Sequence, residues 1–349
     1  MAVHPISSLQ ASSFGPFKNI DLSFSSGLNV IVGDNATGKS QLLKLLYSGA
    51  KSLKEADALT KKDLAPAIAS KLVGTFRPLS LGRLTRRVQG TGSTRVSLGF
   101  QGIPETLDYS FSSRSTREVS LDSIPGVPLE DEPAFFPSHE LLSFASSFVS
   151  LYNSRETTFE ETWRDTIELL QRPSLRGPRS KQANELLKPF TKLLQGGSVV
   201  EDKGQFYLKQ PGIGILEASL LAEGHRKIAM IARLFSSGVL LEGGYLFWDE
   251  PEANLNPSSQ RAIAQCLAML ASHGSQIFVA THSMFLLREL QMAKELANTT
   301  YIGLQRENAE GEAAASAEVI AHCATDLDEL DFIAALEAEA EQSERYLAW

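Results

Sequence analysis

The sequence predicts an α/β fold, a mixed sheet with an inserted helical lobe, and three stretches carry that expectation. Leu28-Asn29-Val30-Ile31-Val32 is a short apolar, β-rich run leading into Gly33-Asp34-Asn35-Ala36-Thr37-Gly38-Lys39-Ser40, a full match to G-x-x-x-x-G-K-[ST]. Tyr245-Leu246-Phe247-Trp248 is a second apolar run, ending in Asp249-Glu250. Gln276-Ile277-Phe278-Val279-Ala280 is a third, ending in Thr281-His282-Ser283. Each run has the length of a buried strand, and a helical pattern follows each.

The first stretch is built for phosphate. Gly33 and Gly38 let the backbone curl so that N–H groups converge on one anion. Gln41 to Tyr47 has one apolar helical face, and the N-terminus of that helix adds partial positive charge. Lys39 can reach the β- and γ-phosphates, and the Ser40 hydroxyl can ligate Mg²⁺. The expected nucleotide-binding set is Gly33, Asn35, Ala36, Thr37, Gly38, Lys39, Ser40 and Gln41. The chain reads as a P-loop NTPase that binds a nucleoside triphosphate.

Composition sets the bounds. The chain has 349 residues, 43% apolar and 21% charged, enough for one large α/β domain with an insertion or for two domains. Cys266 and Cys323 lack metal-ligand spacing, so a reducing cytoplasm is expected. No apolar run reaches the length of a membrane span, and no signal-peptide pattern opens the chain, so no membrane partner is expected. A net charge of −8 argues against protein-wide nucleic-acid affinity. Basic side chains nevertheless cluster from Lys71 to Arg95, and acids from Asp326 to the end, which marks a partner surface or an internal contact.

Taken in order, Ile6 to Phe24 reads as two short strands around the turn Phe14-Gly15-Pro16-Phe17. Phe14, Phe17 and Phe24 are expected in the core, with adenine stacking as the alternative. Lys51 to Leu72 reads as helical, with Pro66 starting a new piece; Thr75 to Gly92 has no clear pattern. Thr94 to Phe100 and Leu107 to Phe111 alternate as strands, with Arg117 to Leu121 as a third. A loop with Pro125, Pro128 and Pro133 precedes helices at His139–Leu151, Phe159–Leu170 and Gln182–Leu194. Val199-Val200 and Gln205 to Leu208 form a hairpin. Helices follow at Gly224–Phe235 and Ser258–Ala271, and after Ser283. Tyr301 to Leu304 adds a strand, and Leu327 to Tyr346 an acidic terminal helix with Leu327, Leu330, Ile333, Leu336 and Ala340 on one face.

The acids at the end of the second run complete a site. Two carboxylates at the end of a buried strand are costly unless a cation shares the place. Asp249 can hold the metal beside Ser40, and Glu250 can orient and deprotonate the attacking water. His282, ending the third run, can sense the γ-phosphate, or it serves structure alone.

Phosphate loop, then Leu221-Ala222-Glu223-Gly224-His225-Arg226-Lys227, then Phe247-Trp248-Asp249-Glu250-Pro251-Glu252-Ala253-Asn254-Leu255-Asn256-Pro257, then Val279-Ala280-Thr281-His282-Ser283 is an order that resembles an ABC-type ATPase head. The likeness is to the soluble branch: the structural-maintenance-of-chromosomes, RecF and OLD-like ATPases, including stand-alone bacterial ATPases of phage defence. It covers residues 1–50 and about 216–290. It implies a homodimer, or a higher homo-oligomer, with ATP sandwiched between the phosphate loop of one copy and Glu223 and Gly224 of the other. Ala222 replaces the family's usual serine, so contact across the dimer falls to backbone N–H groups or to His225, Arg226 or Lys227, the latter two alternatively lying on a solvated face. Asn256 replaces a usual aspartate, which implies altered communication between sites and slow turnover. A glutamine that contacts Mg²⁺ is expected at the hinge between lobes; Gln101 and Glu140 are the candidates by position.

The implied organisation is a discontinuous head over 1–50 and 216–325, first-lobe strands plus a helical lobe over 51–215, and an acidic helix over 326–349. The implied activity is that of a slow ATPase acting as a nucleotide-gated dimeric switch on an effector protein, a nuclease or toxin, in anti-phage defence. The alternative is a RecF-like repair ATPase that binds DNA through Lys71–Arg95 and Arg172–Lys192. A transporter's energy subunit fits the Glu-Gly-His-Arg run poorly.

Overall fold

The computed structural model describes residues 4–87, 90–154, 158–175, 178–240, 243–307, 318–330, 334–347 and 349. Alternation at the N-terminus folds as the pattern predicts. β1 (Ile6–Phe14) and β2 (Phe17–Ser23) are antiparallel, turning at Gly15, whose φ of +51° suits a residue without Cβ. β4 (Ser93–Phe100), β5 (Ile103–Ser112) and β6 (Ser120–Ser123) extend them into a five-stranded antiparallel sheet ordered β2-β1-β4-β5-β6. Leu9, Ala11, Val96, Leu98, Leu107 and Tyr109 are buried on its inner side.

The second sheet has six strands ordered β14-β13-β3-β12-β11-β7. They are β3 (Leu28–Gly33), β7 (Pro133–Phe136), β11 (Tyr245–Asp249), β12 (Gln276–Thr281), β13 (Thr299–Arg306) and β14 (Val319–Ala324). All neighbours run parallel except β13 and β14. Both faces are covered, so these strands are apolar throughout rather than alternating. Ile31, Phe247, Phe278 and Ile302 face one core, shared with the five-stranded sheet, α1 (Lys39–Glu55) and α2 (Lys61–Phe76). Val30, Val32, Trp248 and Val279 face the other, beneath α6 (Glu223–Ser236), α7 (Pro257–Ser272) and α8 (Met284–Met292). α1, the helix after the phosphate loop, is thus clamped between two sheets.

Between the sheets' contributions lie α3 (Ala145–Asn153), α4 (Glu161–Gln171), α5 (Pro178–Leu193) and a three-stranded sheet of β8 (Ser198–Asp202), β9 (Gln205–Gln210) and β10 (Gly214–Glu217). α4 is fastened to α1 and α2 by a buried polar network. Asp165 accepts from the Tyr47 hydroxyl at 2.5 Å and pairs with Lys71 at 3.5 Å and Arg164 at 2.6 Å. Burial alone would raise the Asp165 pKa, but Lys71 and Arg164 outweigh it and hold the carboxyl below its ordinary value.

Several boundaries differ from the sequence reading. Pro66 sits inside α2 rather than opening it, because Thr60 caps the helix by accepting from the Asp63 N–H. The helix expected from His139 starts at Ala145; Glu140 instead turns back to accept from the Ser143 N–H and hydroxyl. β7, β10 and β14 were not expected, and β7 hid in a proline-rich stretch because proline is tolerated as a strand's first residue. The terminal acidic helix is also corrected. Leu327 and Leu330 are buried in the core around a short 3₁₀ turn, and the helix proper, α9 (Ala334–Leu347), exposes Ala340. Ile333 and the side chain of Leu336 lie outside the described residues.

Candidate nucleotide site

Parallel register brings the three motif-bearing strand ends to one edge. Leu304 pairs with Gly33, Thr281 with Val32 and Asp249 with Ala280. The phosphate loop therefore starts level with Asp249 and His282.

The loop's glycines are sterically required. Gly38 has φ +98°, and a Cβ there would meet Pro16 at 2.6 Å and Phe17 at 2.7 Å. A Cβ on Gly33 would meet the Leu304 carbonyl at 2.3 Å. Asp34, Asn35 and Ala36 are exposed, with Ala36 left-handed at φ +62°, while buried Thr37 donates its hydroxyl to the Asp34 carbonyl at 2.8 Å. Lys39 does not point into an open pocket. It is buried, and Nζ donates to the Gly33 and Asp34 carbonyls at 2.7 and 2.9 Å. Burial lowers its pKa against the pull of Glu250 and Asp249. Gln41 is exposed and lies over Gly15, whose added Cβ would fall 2.0 Å from Gln41 Oε1. Arg306, which motif reading missed, donates to the Ala36 carbonyl at 2.9 Å from the end of β13. Phe14 and Phe17 are core residues, and Phe24 packs edge-on against Phe278.

Opposite the loop, Ser40 Oγ donates to Asp249 Oδ1 at 3.1 Å. Burial raises the Asp249 pKa, and the neighbouring Glu250 charge adds to it, so a cation would relieve the site. A serine hydroxyl and a carboxylate at this separation are the hard oxygens Mg²⁺ prefers, so the pair fits that ion. Among the described residues no cluster of three or more His, Cys, Asp or Glu offers another metal site. Glu250 is left-handed at φ +45°, with its N–H donated to the Ala280 carbonyl at 2.9 Å. His282 Nδ1 lies 3.7 Å from Glu250 Oε1 and 3.6 Å from Glu252 Oε1. Glu252 is buried: Oε1 accepts from the Thr281 hydroxyl at 2.7 Å and the His282 N–H at 3.1 Å, and Oε2 has no partner. Glu252 thus seats His282. The sequence signal for it was its place in the acidic run after Glu250.

α6 begins beside this group. Glu223 accepts from Asn254 Nδ2 at 2.8 Å, and a Cβ on Gly224 would meet the Asn254 carbonyl at 2.9 Å. Arg226 and Lys227 are neither on a solvated face nor aimed outward. Arg226 Nε pairs with Glu140 at 2.6 Å, and Nη1 donates to the Leu221 carbonyl at 2.7 Å. Lys227 is buried, and burial pushes its pKa down to about 8 against the pull of Glu252 and Glu250. His225 is exposed. Asn256 caps α7, accepting from the Ser259 N–H at 2.9 Å.

Neither hinge candidate faces the metal pair. Gln101 is at the β4–β5 turn, its N–H on the Pro5 carbonyl, and the adjoining Ile6 bonds Gln276 at the start of β12, the end remote from His282. Glu140 follows β7 but is engaged by Arg226 and Ser143. The basic stretches are partly consumed too. Lys71 is buried among Glu55, Glu161 and Asp165, and Arg172 pairs with Glu132, whereas Arg83, Arg87 and Arg95 are exposed. Part of Arg172–Lys192 lies outside the described residues.

Among the described residues, no helix is long and apolar enough to cross a membrane. A search of curated proteins returns no match. Among solved structures, the chain is similar to a structure described as the SmcHead bound to the C-winged helix domain of ScpA, at 15% identity and TM-score 0.56, covering 91% of this chain and 97% of that one. It is also similar to an Smc head domain with an extended coiled coil, bound to the C-terminal domain of ScpA derived from Pyrococcus furiosus, at 14% identity and TM-score 0.53, covering 99% and 100%. These likenesses establish the fold, an α/β P-loop ATPase head with a mixed sheet. Residues 28–288, well over half the chain, match the family described as "AAA domain, putative AbiEii toxin, Type IV TA system", and the chain belongs to that family.

Proposed function

We propose that this protein binds ATP with Mg²⁺ and hydrolyses it slowly, as a nucleotide-gated homodimeric switch acting on an effector protein in anti-phage defence. One observation carries the reading: the Ser40–Asp249 contact sits beside Glu250 and His282 at the end of a phosphate loop that no Cβ could enter. In this scheme Gly33 to Ser40 cradle the phosphates. Lys39 exchanges its loop carbonyls for phosphate oxygens, which its burial favours because an anion replaces weaker dipoles. Ser40 and Asp249 hold Mg²⁺, which supplies charge neutralisation on the phosphates. Glu250 takes the proton of the attacking water, and His282, seated by Glu252, faces the γ-phosphate position. Glu223 and Gly224 serve the partner copy's nucleotide.

The family description, with its toxin and toxin–antitoxin terms, supports a defence role. The Smc heads are described in complex with another protein's domain, which supports the idea of a docked effector here. The DNA-binding alternative is weakened because Lys71 and Arg172 are engaged within the chain. The test is phosphate release and light scattering with ATP and Mg²⁺, followed by affinity capture of the tagged chain from its native cells with and without ATP. Turnover, ATP-dependent dimers and an ATP-dependent co-purifying protein are expected. DNA retention that falls steeply with salt, in place of a protein partner, would favour the alternative.

A further inference from the structure

The start of α6 and the turn that carries Glu250 are distant in sequence yet share one buried cation. Lys227 is 1% exposed. Its ammonium donates to the carbonyls of Glu250 at 3.0 Å, Ala253 at 3.1 Å and Ser138 at 2.8 Å. An ammonium has three N–H donors, and all are used. Residue 250 is consequently held on both sides: its N–H by the Ala280 carbonyl of β12, its carbonyl by α6. Its left-handed φ of +45° is a conformation that persists only where neighbours over-determine it.

We propose that Lys227 is a positioning residue that locks the first turns of α6 to the turn bearing Glu250, so that engagement of Glu223 and Gly224 sets the aim of the Glu250 carboxylate. Two outer contacts reinforce the lock, the Asn254–Glu223 hydrogen bond and the close seat of Gly224 on the Asn254 carbonyl. A displacement at the helix start therefore reaches residue 250 through desolvated hydrogen bonds rather than through mobile surface side chains. Such a link lets contact by a second copy govern hydrolysis without touching the phosphate loop.

This inference rests on ATP turnover at Glu250. Its test compares the full-length parent with K227M, which keeps the side chain's length without donors or charge, and K227R, which keeps the charge. ATP affinity by calorimetry, kcat by phosphate release and Tm are measured for each. K227M should bind ATP as the parent does and lose on the order of 10²-fold in kcat, the scale of a small misplacement of a reacting group. K227R should recover part of that loss. Parental kcat in folded K227M overturns the proposal, and so does a parallel fall of affinity, kcat and Tm, which marks a packing role only. If K227M does not fold, hydrogen exchange on the parent decides. On adding adenylyl imidodiphosphate and Mg²⁺, the amides of Arg226 and Ala253, bonded to the Ala222 and Glu250 carbonyls, should gain protection together. Protection of one without the other overturns the lock. A parent that neither binds nor hydrolyses ATP fails the functional reading itself, and the lock with it.

Discussion

The Ser40 hydroxyl lies 3.1 Å from Asp249 Oδ1, joining the first turn of α1 to the end of β11 across a span of the chain that includes the whole helical lobe. That single contact makes the phosphate loop and the acidic pair one site. Everything between them is arranged to hold α1 in place while α6 meets the same edge from the other side of the sheet.

Lys39→Ala should bind ATP roughly 10- to 100-fold more weakly, the worth of one charge-assisted hydrogen bond, and should keep the fold. Its own partners are two carbonyls of an exposed loop, which water can satisfy after truncation. Calorimetry gives the affinity, and circular dichroism checks the fold. Undiminished affinity would mean that the loop is not the phosphate site.

Lys71→Met tests the buried network rather than the nucleotide site. Removing the cation leaves Asp165 and Glu161 facing each other without compensation, and breaking a buried pair costs about 3–5 kcal/mol. Urea denaturation should show that loss, with ATP affinity per folded molecule unchanged. A variant as stable as the parent would place Lys71 outside the core and return it to the surface basic patch.

The carboxyl-terminal segment should divide at residue 334. Ending the chain before Ala334 removes only the exposed helix, whose contact with the body includes Arg288–Glu339, and should leave Tm and ATP binding near parental. Ending it before Asp326 also removes buried Leu327 and Leu330 and should destabilise by about 2–5 kcal/mol per lost core leucine. Equal Tm values for the two truncations would contradict the burial of those leucines. If α9 is where the effector docks, the shorter cut alone should abolish co-purification.

What was legible in the sequence follows from how local each signal is. The phosphate loop, Asp249-Glu250 and His282 were found because glycine spacing and strand-end acids are read within a few residues, and parallel register then levels them. The buried strands around them were legible as apolar runs. β7 was not, since its four residues begin with Pro133 and only the neighbouring β11 makes them a strand. The roles of Arg226 and Lys227 were misread for the same reason. A basic residue early in an amphipathic helix reads as exposed, and only tertiary contact with Glu140 and with the 250–253 turn reveals otherwise. Glu252, Arg306 and the Lys71 network likewise depend on partners far away in sequence.

Glu250→Gln, measured for phosphate release and by light scattering with ATP and Mg²⁺, probes the proposed mechanism at its centre. The amide keeps the side chain's shape but cannot take a proton from water, so hydrolysis should fall about 10²–10⁴-fold while ATP accumulates a closed dimer. A variant that hydrolyses ATP at the parental rate, or one that stays monomeric with saturating ATP, would contradict a Glu250-driven, nucleotide-gated dimer.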